Sequence, residues 1–174
     1  MASFAATAQP ELSTAQITER VQAKARQYAD ALTCVDHAAP DPVLRSYLIG
    51  SLQPYQLDTT DPAEFVGFWY GDMGCAGGSG TVMYHLVNIK TDAQGRFYVD
   101  AHASEPAIAI EGLNQRFIKR VVGASLDDLT LEGMDFADGD ANNFPSVVYR
   151  YSLKRDAGGN WQVVSRKEIG REQY

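Results

Sequence analysis

The sequence predicts an α+β protein in which one N-terminal amphipathic helix packs on a mainly antiparallel β-sheet, built as a meander of hairpins. Three observations predict it. Apolar residues recur with a helical period near the start of the chain, and the period changes to two from Glu64 onward. Two glycine-containing turns, at residues 91–95 and 156–160, separate alternating segments as hairpin turns do. A helix followed by such strands is typical of the α+β class.

The chain has 174 residues, enough for one domain with a substantial apolar core. We expect a flexible segment at residues 1–12 and a single α+β domain at residues 13–174. Two arrangements of helix and sheet stay open. One is a cystatin-like or nuclear-transport-factor-like sheet curled around its helix, and the other is a pilin-like helix plus sheet. Neither arrangement would determine a function.

The helix is predicted to begin at a capping box, with Ser13 as N-cap and Gln16 three residues later. Apolar residues then fall near one face of about five turns: Ile17, Val21, Tyr28, Leu32 and Val35. Prolines 40 and 42 end the pattern, because proline cannot continue a helix. A short second helix is predicted at residues 42–51, followed by a polar connector at residues 54–63.

Strands are predicted at residues 65–70, 81–90, 96–102, 107–110, 116–122, 128–136, 146–154 and 161–167. In the first hairpin we expect Lys90 to face Arg96, which would pair Ile89 with Phe97 and place Met83, His85 and Ala101 on the core side. Residues 146–154 alternate most clearly. There we predict that four residues face the core, together with Trp161: Val147, Tyr149, Tyr151 and Leu153. The four residues between them are predicted to face outward: Val148, Arg150, Ser152 and Lys154.

Charge and cysteine content limit the functional class. The net charge of -7 argues against nucleic-acid binding, which needs a basic surface. No apolar stretch reaches the roughly 18–20 residues of a membrane span. The N-terminal residues are small and polar, as after removal of a signal peptide. Cys34 and Cys75 form neither a C-x-x-C pair nor a metal set, so we predict a disulfide between them and a periplasmic or secreted protein.

One segment could carry catalysis. Cys75 lies in a glycine-rich loop at residues 71–80, where backbone N–H groups could hold an oxyanion and His102 could act as base. A disulfide-bonded cysteine cannot attack a substrate, so this Cys75-dependent hydrolase is the alternative hypothesis. No lysine follows the glycines to grip phosphate, and no cofactor is expected.

Two further groups are candidates for binding. Asp138, Asp140 and Asn142 follow the first ligand positions of a calcium loop, but position 12 would be Tyr149 instead of a glutamate. A polar turn explains the same residues, so calcium is a weak candidate and no metal is expected. The consecutive Phe68, Trp69 and Tyr70 beside the glycine-rich loop are predicted to form a binding surface.

These observations favour a non-catalytic, extracytoplasmic binding or accessory domain with a protein partner. A pilus or secretion-system component, or an inhibitor, would fit that class. The sequence contains no assembled acid–base set and few histidines, and this is the main reason for preferring binding to catalysis.

Overall fold

The computed structural model describes residues 12–33, 54–55, 63–77 and 80–172. It contains one α-helix, α1 at Thr14–Leu32, in the described part. The strands follow in chain order: β1 Pro54–Tyr55, β2 Glu64–Asp72, β3 Val82–Thr91, β4 Phe97–Val99, β5 Ile110–Glu111, β6 Ile118–Ala124, β7 Asp128–Asp135, β8 Val147–Arg155 and β9 Trp161–Arg171. The predicted α+β class with a meander of hairpins is confirmed. The predicted second helix at residues 42–51, Val35 and the segment 1–11 lie outside the described residues.

Helix α1 begins and ends for identifiable reasons. The predicted capping box is confirmed: the Ser13 hydroxyl accepts from the Gln16 backbone N–H, and the Gln16 side chain accepts from the Ser13 backbone N–H. The helix ends at Leu32 because Thr33 is extended, and the Thr33 hydroxyl donates to the Ala29 carbonyl at 2.9 Å. Its buried stripe consists of Val21 and two small residues that the apolar pattern did not single out, Ala25 and Ala29.

The strands form two sheets instead of the single sheet that we expected. The first has the order β1-β2-β3-β4, and the second has the order β5-β9-β8-β7-β6. All neighbouring strands pair antiparallel except β5 and β9. Pro54–Tyr55, placed by the sequence in a polar connector, is paired to β2.

The first sheet is the middle layer of three. One of its faces packs on α1 through Phe65, Trp69 and Val87. Its other face packs on the second sheet through Phe68 and Leu86, among others. Since alternate residues of a strand point to opposite faces, β2 is buried on both. This explains its nearly continuous apolar sequence.

The first hairpin has a different register from the predicted one. Lys90 pairs with Tyr98, and Ile89 pairs with Val99. The cause is the turn, where the Asp92 carboxylate accepts from the backbone N–H groups of Gln94 and Arg96 at 2.9 Å each. Each residue of β3 therefore pairs two residues further along the chain than expected. A shift of two residues preserves the side-chain faces. Gly95 has the positive φ that the turn prediction required, +70°.

Strand β4 ends at Val99, so the predicted strand at residues 96–102 is too long. A 3₁₀ turn at Ala101–Ala103 follows, and Ala101 is exposed, contrary to its predicted core position. Side chains from the next residues then occupy the edge of β3. The Ser104 hydroxyl accepts from the Asn88 N–H at 2.9 Å, and the Glu105 carboxylate accepts from the Leu86 N–H at 2.6 Å. These bonds satisfy backbone donors that a longer β4 would have paired.

The second sheet confirms most of the predicted alternation along β8. Three of the four residues predicted to face inward are buried, as is Trp161: Val147, Tyr151 and Leu153. The fourth, Tyr149, is half-buried. Arg150 and Lys154 are exposed, as expected. Val148 is an exception, because it is buried on the outward face together with its cross-strand partner Met134.

Within the described ranges, α1 is too short of apolar residues to qualify as a membrane-crossing helix.

Candidate functional site

The structure places the predicted aromatic surface largely in the core. Phe68 and Trp69 have no exposed surface, because they face the second sheet and α1 respectively. Only Tyr70 is partly exposed, and its ring lies against that of its cross-strand partner Tyr84, with centroids 4.6 Å apart. The prediction of a binding surface is therefore wrong for Phe68 and Trp69. Tyr70 remains available at the edge of the glycine-rich loop.

The strand register separates the two residues of the hydrolase hypothesis. His102 is exposed on the 3₁₀ turn, and the chain beside it bonds to β3 between Asn88 and Leu86. Cys75 lies past the other end of β3, because it follows Asp72, the last residue of β2, which pairs with Val82 at the start of β3. The two residues therefore lie beside positions of β3 that are at least four residues apart, from Val82 to Leu86, or about 13 Å along the strand. That exceeds the hydrogen-bond reach a general base needs.

The loop that carries Cys75 is organised by Asp72. Its carboxylate accepts from the Ala76 N–H at 3.3 Å and from the Gly77 N–H at 2.7 Å. Both Gly74 and Cys75 have positive φ, +72° and +59°. The Asp72 carboxylate therefore uses the backbone donors at residues 76 and 77 that an oxyanion site would require.

The predicted disulfide involves Cys34, which lies outside the described residues, so the bond stays a prediction. The chain on either side of it is informative. Thr33 and Met73 form an isolated antiparallel bridge, and the Gly74 N–H donates to the Leu32 carbonyl at 2.8 Å. The end of α1 and the loop of Cys75 are thus adjacent. Cys75 is not a free thiol.

Two of the three residues of the weak calcium candidate, Asp140 and Asn142, accept hydrogen bonds from protein donors. Asp140 accepts from the Ala137 N–H, the Ser146 N–H and the Ser146 hydroxyl at 2.7, 2.8 and 2.9 Å, and the bond from Ala137 contributes most to lowering the pKa of its carboxyl. The Arg116 guanidinium donates to the amide oxygens of both Asn142 and Asn143. One proposed ligand oxygen, that of Asn142, is therefore bonded to a cationic side chain. In the described part of the chain, no three acidic, histidine or cysteine side chains group as metal ligands would.

The sequence did not reveal a buried polar cluster around Glu105. Besides Leu86, this carboxylate accepts from the Gln115 amide at 3.0 Å, and the Tyr28 hydroxyl donates to the Glu105 carbonyl at 2.9 Å. Burial raises the pKa of Glu105. The cluster joins α1, β3 and the segment before β5, which is a structural role. The sequence contains one indication of this cluster: Glu105 is the single acidic or basic residue, histidine aside, in the otherwise uncharged segment 101–110.

His85 belongs to the same region and is buried, as the sequence predicted. Its ring lies against Trp69, with centroids 4.4 Å apart, and its Nε2 is 3.3 Å from the Gly71 carbonyl oxygen. Burial lowers the pKa of His85 and favours the neutral ring. Its Nδ1 is 3.9 Å from the Glu105 carboxylate and has no hydrogen-bond partner among the residues that the structure describes.

Exposed aromatic residues lie instead on the loop between β7 and β8. Phe136 is 37% exposed and Phe144 is 54% exposed. The Phe136 ring meets that of Phe117 edge-on, with centroids 5.7 Å apart, and the Arg116 guanidinium lies 5.1 Å from the Phe117 ring centroid. We call these four residues the Phe136 patch. The sequence does not indicate this patch, because Phe136 falls at the end of a predicted strand and residues 138–142 follow the start of a calcium loop.

No family model, curated protein or solved structure matches this chain. The α+β class and the site geometry are therefore the basis for a functional proposal.

Proposed function

We propose that the protein is a non-catalytic, extracytoplasmic binding domain that contacts a protein partner through the Phe136 patch. The observation that carries the proposal is the exposure of Phe136 and Phe144 on one loop, next to Arg116. Aromatic residues and arginine contribute most often to binding energy in protein interfaces. This surface replaces the one centred on Phe68 and Trp69, whose side chains are buried.

The loop of the patch is held in one conformation by its own hydrogen bonds. The three bonds to Asp140 join residue 137 to residue 146, the two ends of the loop. Arg116 connects its middle to the segment before β6 through Asn142 and Asn143. A loop that is already ordered loses less conformational entropy on binding. Such a loop supports recognition by a preformed surface.

The extracytoplasmic location rests on a disulfide between Cys34 and Cys75. The bridge between Thr33 and Met73 supports this bond, because it places the preceding residues side by side. Cys75 is not a free thiol, and Cys34 is the other cysteine of the sequence. On the chain-entropy relation, closing a loop of this size contributes about 4 kcal/mol to stability. Thiol titration of the unfolded, unreduced protein should find no free thiols, and two would contradict the bond.

The test of the patch is capture of partner proteins from extracts of the source organism's envelope and medium. Phe136→Ser and Phe144→Ser should each lose the partner that the unchanged protein retains. Val164→Ser is a matched control, since Val164 is 55% exposed but lies on β9. Circular dichroism should give native spectra for all three variants. Equal capture by all of them would contradict the proposed surface. Ester or peptide hydrolysis that disappears on Cys75→Ser would instead support the hydrolase alternative.

A further inference from the structure

A cleft between α1 and β4 combines an apolar floor with positive charge. Its volume is about 330 Å³, and its lining consists of Arg20, Ala23, Lys24, Arg96 and Phe97. Sites for small organic ligands begin at about this size, and they combine apolar walls with a few polar groups. The cleft shares no lining residue with the Phe136 patch.

The positive charge of the cleft is only partly neutralised. Arg96 is paired with Asp92 at 2.6 Å, whereas Arg20 and Lys24 have no carboxylate partner among the described residues. Lys24 donates to the neutral Gln27 side chain at 3.1 Å. Arg20 and Lys24 stand four residues apart on α1, and like charges at this spacing destabilise a helix. The chain as a whole carries a net charge of -7.

The floor of the cleft is suited to an apolar group. Phe97 is half-buried, and its ring is held against that of Phe65, with centroids 5.7 Å apart. The Arg20 guanidinium lies 6.0 Å from the centroid of the Phe97 ring. Ala23, between the two basic residues of α1, has a side chain too short to fill the space above the floor. An aliphatic or aromatic group could therefore lie on Phe97 with its acidic group between Arg20 and Lys24.

We infer that this cleft binds a small organic anion in which a carboxylate or phosphate is attached to an apolar body. The anion would supply the charge that the described part of the chain does not supply to Arg20 and Lys24. Its apolar body would cover Phe97. A free amphiphile and the anionic lipid of a membrane share this chemistry, and the experiment separates them.

The test is isothermal titration of the full chain with decanoate and with inorganic phosphate at low ionic strength. Decanoate should bind, and phosphate should bind more weakly because it has no group to cover Phe97. The double variant Arg20→Glu, Lys24→Glu should weaken decanoate binding by about tenfold or more, the effect of losing roughly one strong polar contact. Ala23→Leu should weaken it by filling the cleft. Arg26→Glu is the matched control, because Arg26 is an exposed arginine of α1 outside the cleft lining.

Sedimentation with phosphatidylglycerol vesicles identifies the source of the anion. Binding to these vesicles that the double variant loses assigns a membrane lipid, and decanoate binding without vesicle binding assigns a free amphiphile. Three results would overturn the inference: no binding of either decanoate or vesicles, equal affinities for decanoate and phosphate, or binding that the double variant and Ala23→Leu leave unchanged. Circular dichroism checks that each variant is folded.

Discussion

Removal of the Tyr151 hydroxyl should make the protein more stable. Tyr151 is 1% exposed, and its ring packs in the core between the two sheets. Its hydroxyl is buried without a hydrogen-bond partner in the described part of the chain. Burial raises the pKa of Tyr151 to about 12. A buried polar group that lacks a partner has lost its bonds to water and has gained none in exchange.

The magnitude follows from this desolvation. An unpaired buried polar group costs about 1–3 kcal/mol, so Tyr151→Phe should raise the free energy of unfolding by about 1 kcal/mol or more. For a chain of this size, each kcal/mol shifts Tm by about 2–4 °C. Tyr28→Phe is the matched control, since the Tyr28 hydroxyl donates to the Glu105 carbonyl at 2.9 Å. That variant should lose about 1 kcal/mol.

Urea unfolding monitored by circular dichroism measures both changes. Tyr151→Ala completes the series and should cost about 3 kcal/mol or more, because it removes a buried aromatic ring. A loss of about 1 kcal/mol on Tyr151→Phe, equal to that on Tyr28→Phe, would refute the reasoning, because it would mean that the Tyr151 hydroxyl has a partner. A small effect of Tyr151→Ala would place the ring in solvent.

Two further predictions concern pH. Because burial lowers the pKa of His85 in the folded protein, the unfolded chain is protonated first as the pH falls below about 6.5. The free energy of unfolding should therefore decrease from about pH 6.5 down to the lowered pKa of His85 in the folded protein. His85→Gln should flatten this part of a stability-against-pH curve, and His102→Gln, at an exposed histidine, should not. Hydrogen bonds from Arg120 and Arg150 lower the pKa of Glu132, so its contribution is present above about pH 4.3 and is lost as the pH falls through the lowered value. Glu132→Gln should cost about 1 kcal/mol at neutral pH and weaken the acid dependence, and unchanged acid unfolding would contradict the pairing.

Local patterns predicted the elements of the fold well. The capping box at Ser13 and the alternation around Tyr151 depend on residues close in sequence, and both are confirmed. The hairpin register was displaced because it depends on how the Asp92 carboxylate closes the turn, which the spacing of apolar residues does not report. The division into two sheets depends on contacts between distant segments, such as Phe68 with the second sheet.

The candidate site was harder to predict than the fold. Three consecutive aromatic residues suggest a surface only if one face of the strand is open to solvent. In β2 both faces are covered, and a continuous apolar run is the expected sequence of such a strand. Conversely, the polar residues at 138–143 resemble the start of a calcium loop, but they form a hydrogen-bonded loop that exposes Phe136 and Phe144. Whether Asn142 could bind a metal depends on neighbours such as Arg116, which comes from another part of the chain and bonds to its side-chain oxygen.

The middle position of the first sheet has a consequence for synthesis in the cell. Helix α1 and strands β1 to β4 all precede residue 100, whereas the sheet that covers their second face comes entirely from residues 110–171. A nascent chain emerging from the ribosome would therefore present Val66, Phe68 and Leu86 without their cover until the last hairpin is made. During that interval we expect chaperones to bind the exposed apolar residues of the growing polypeptide. Fragments that stop near residue 105 should aggregate even though their helix and first sheet are complete.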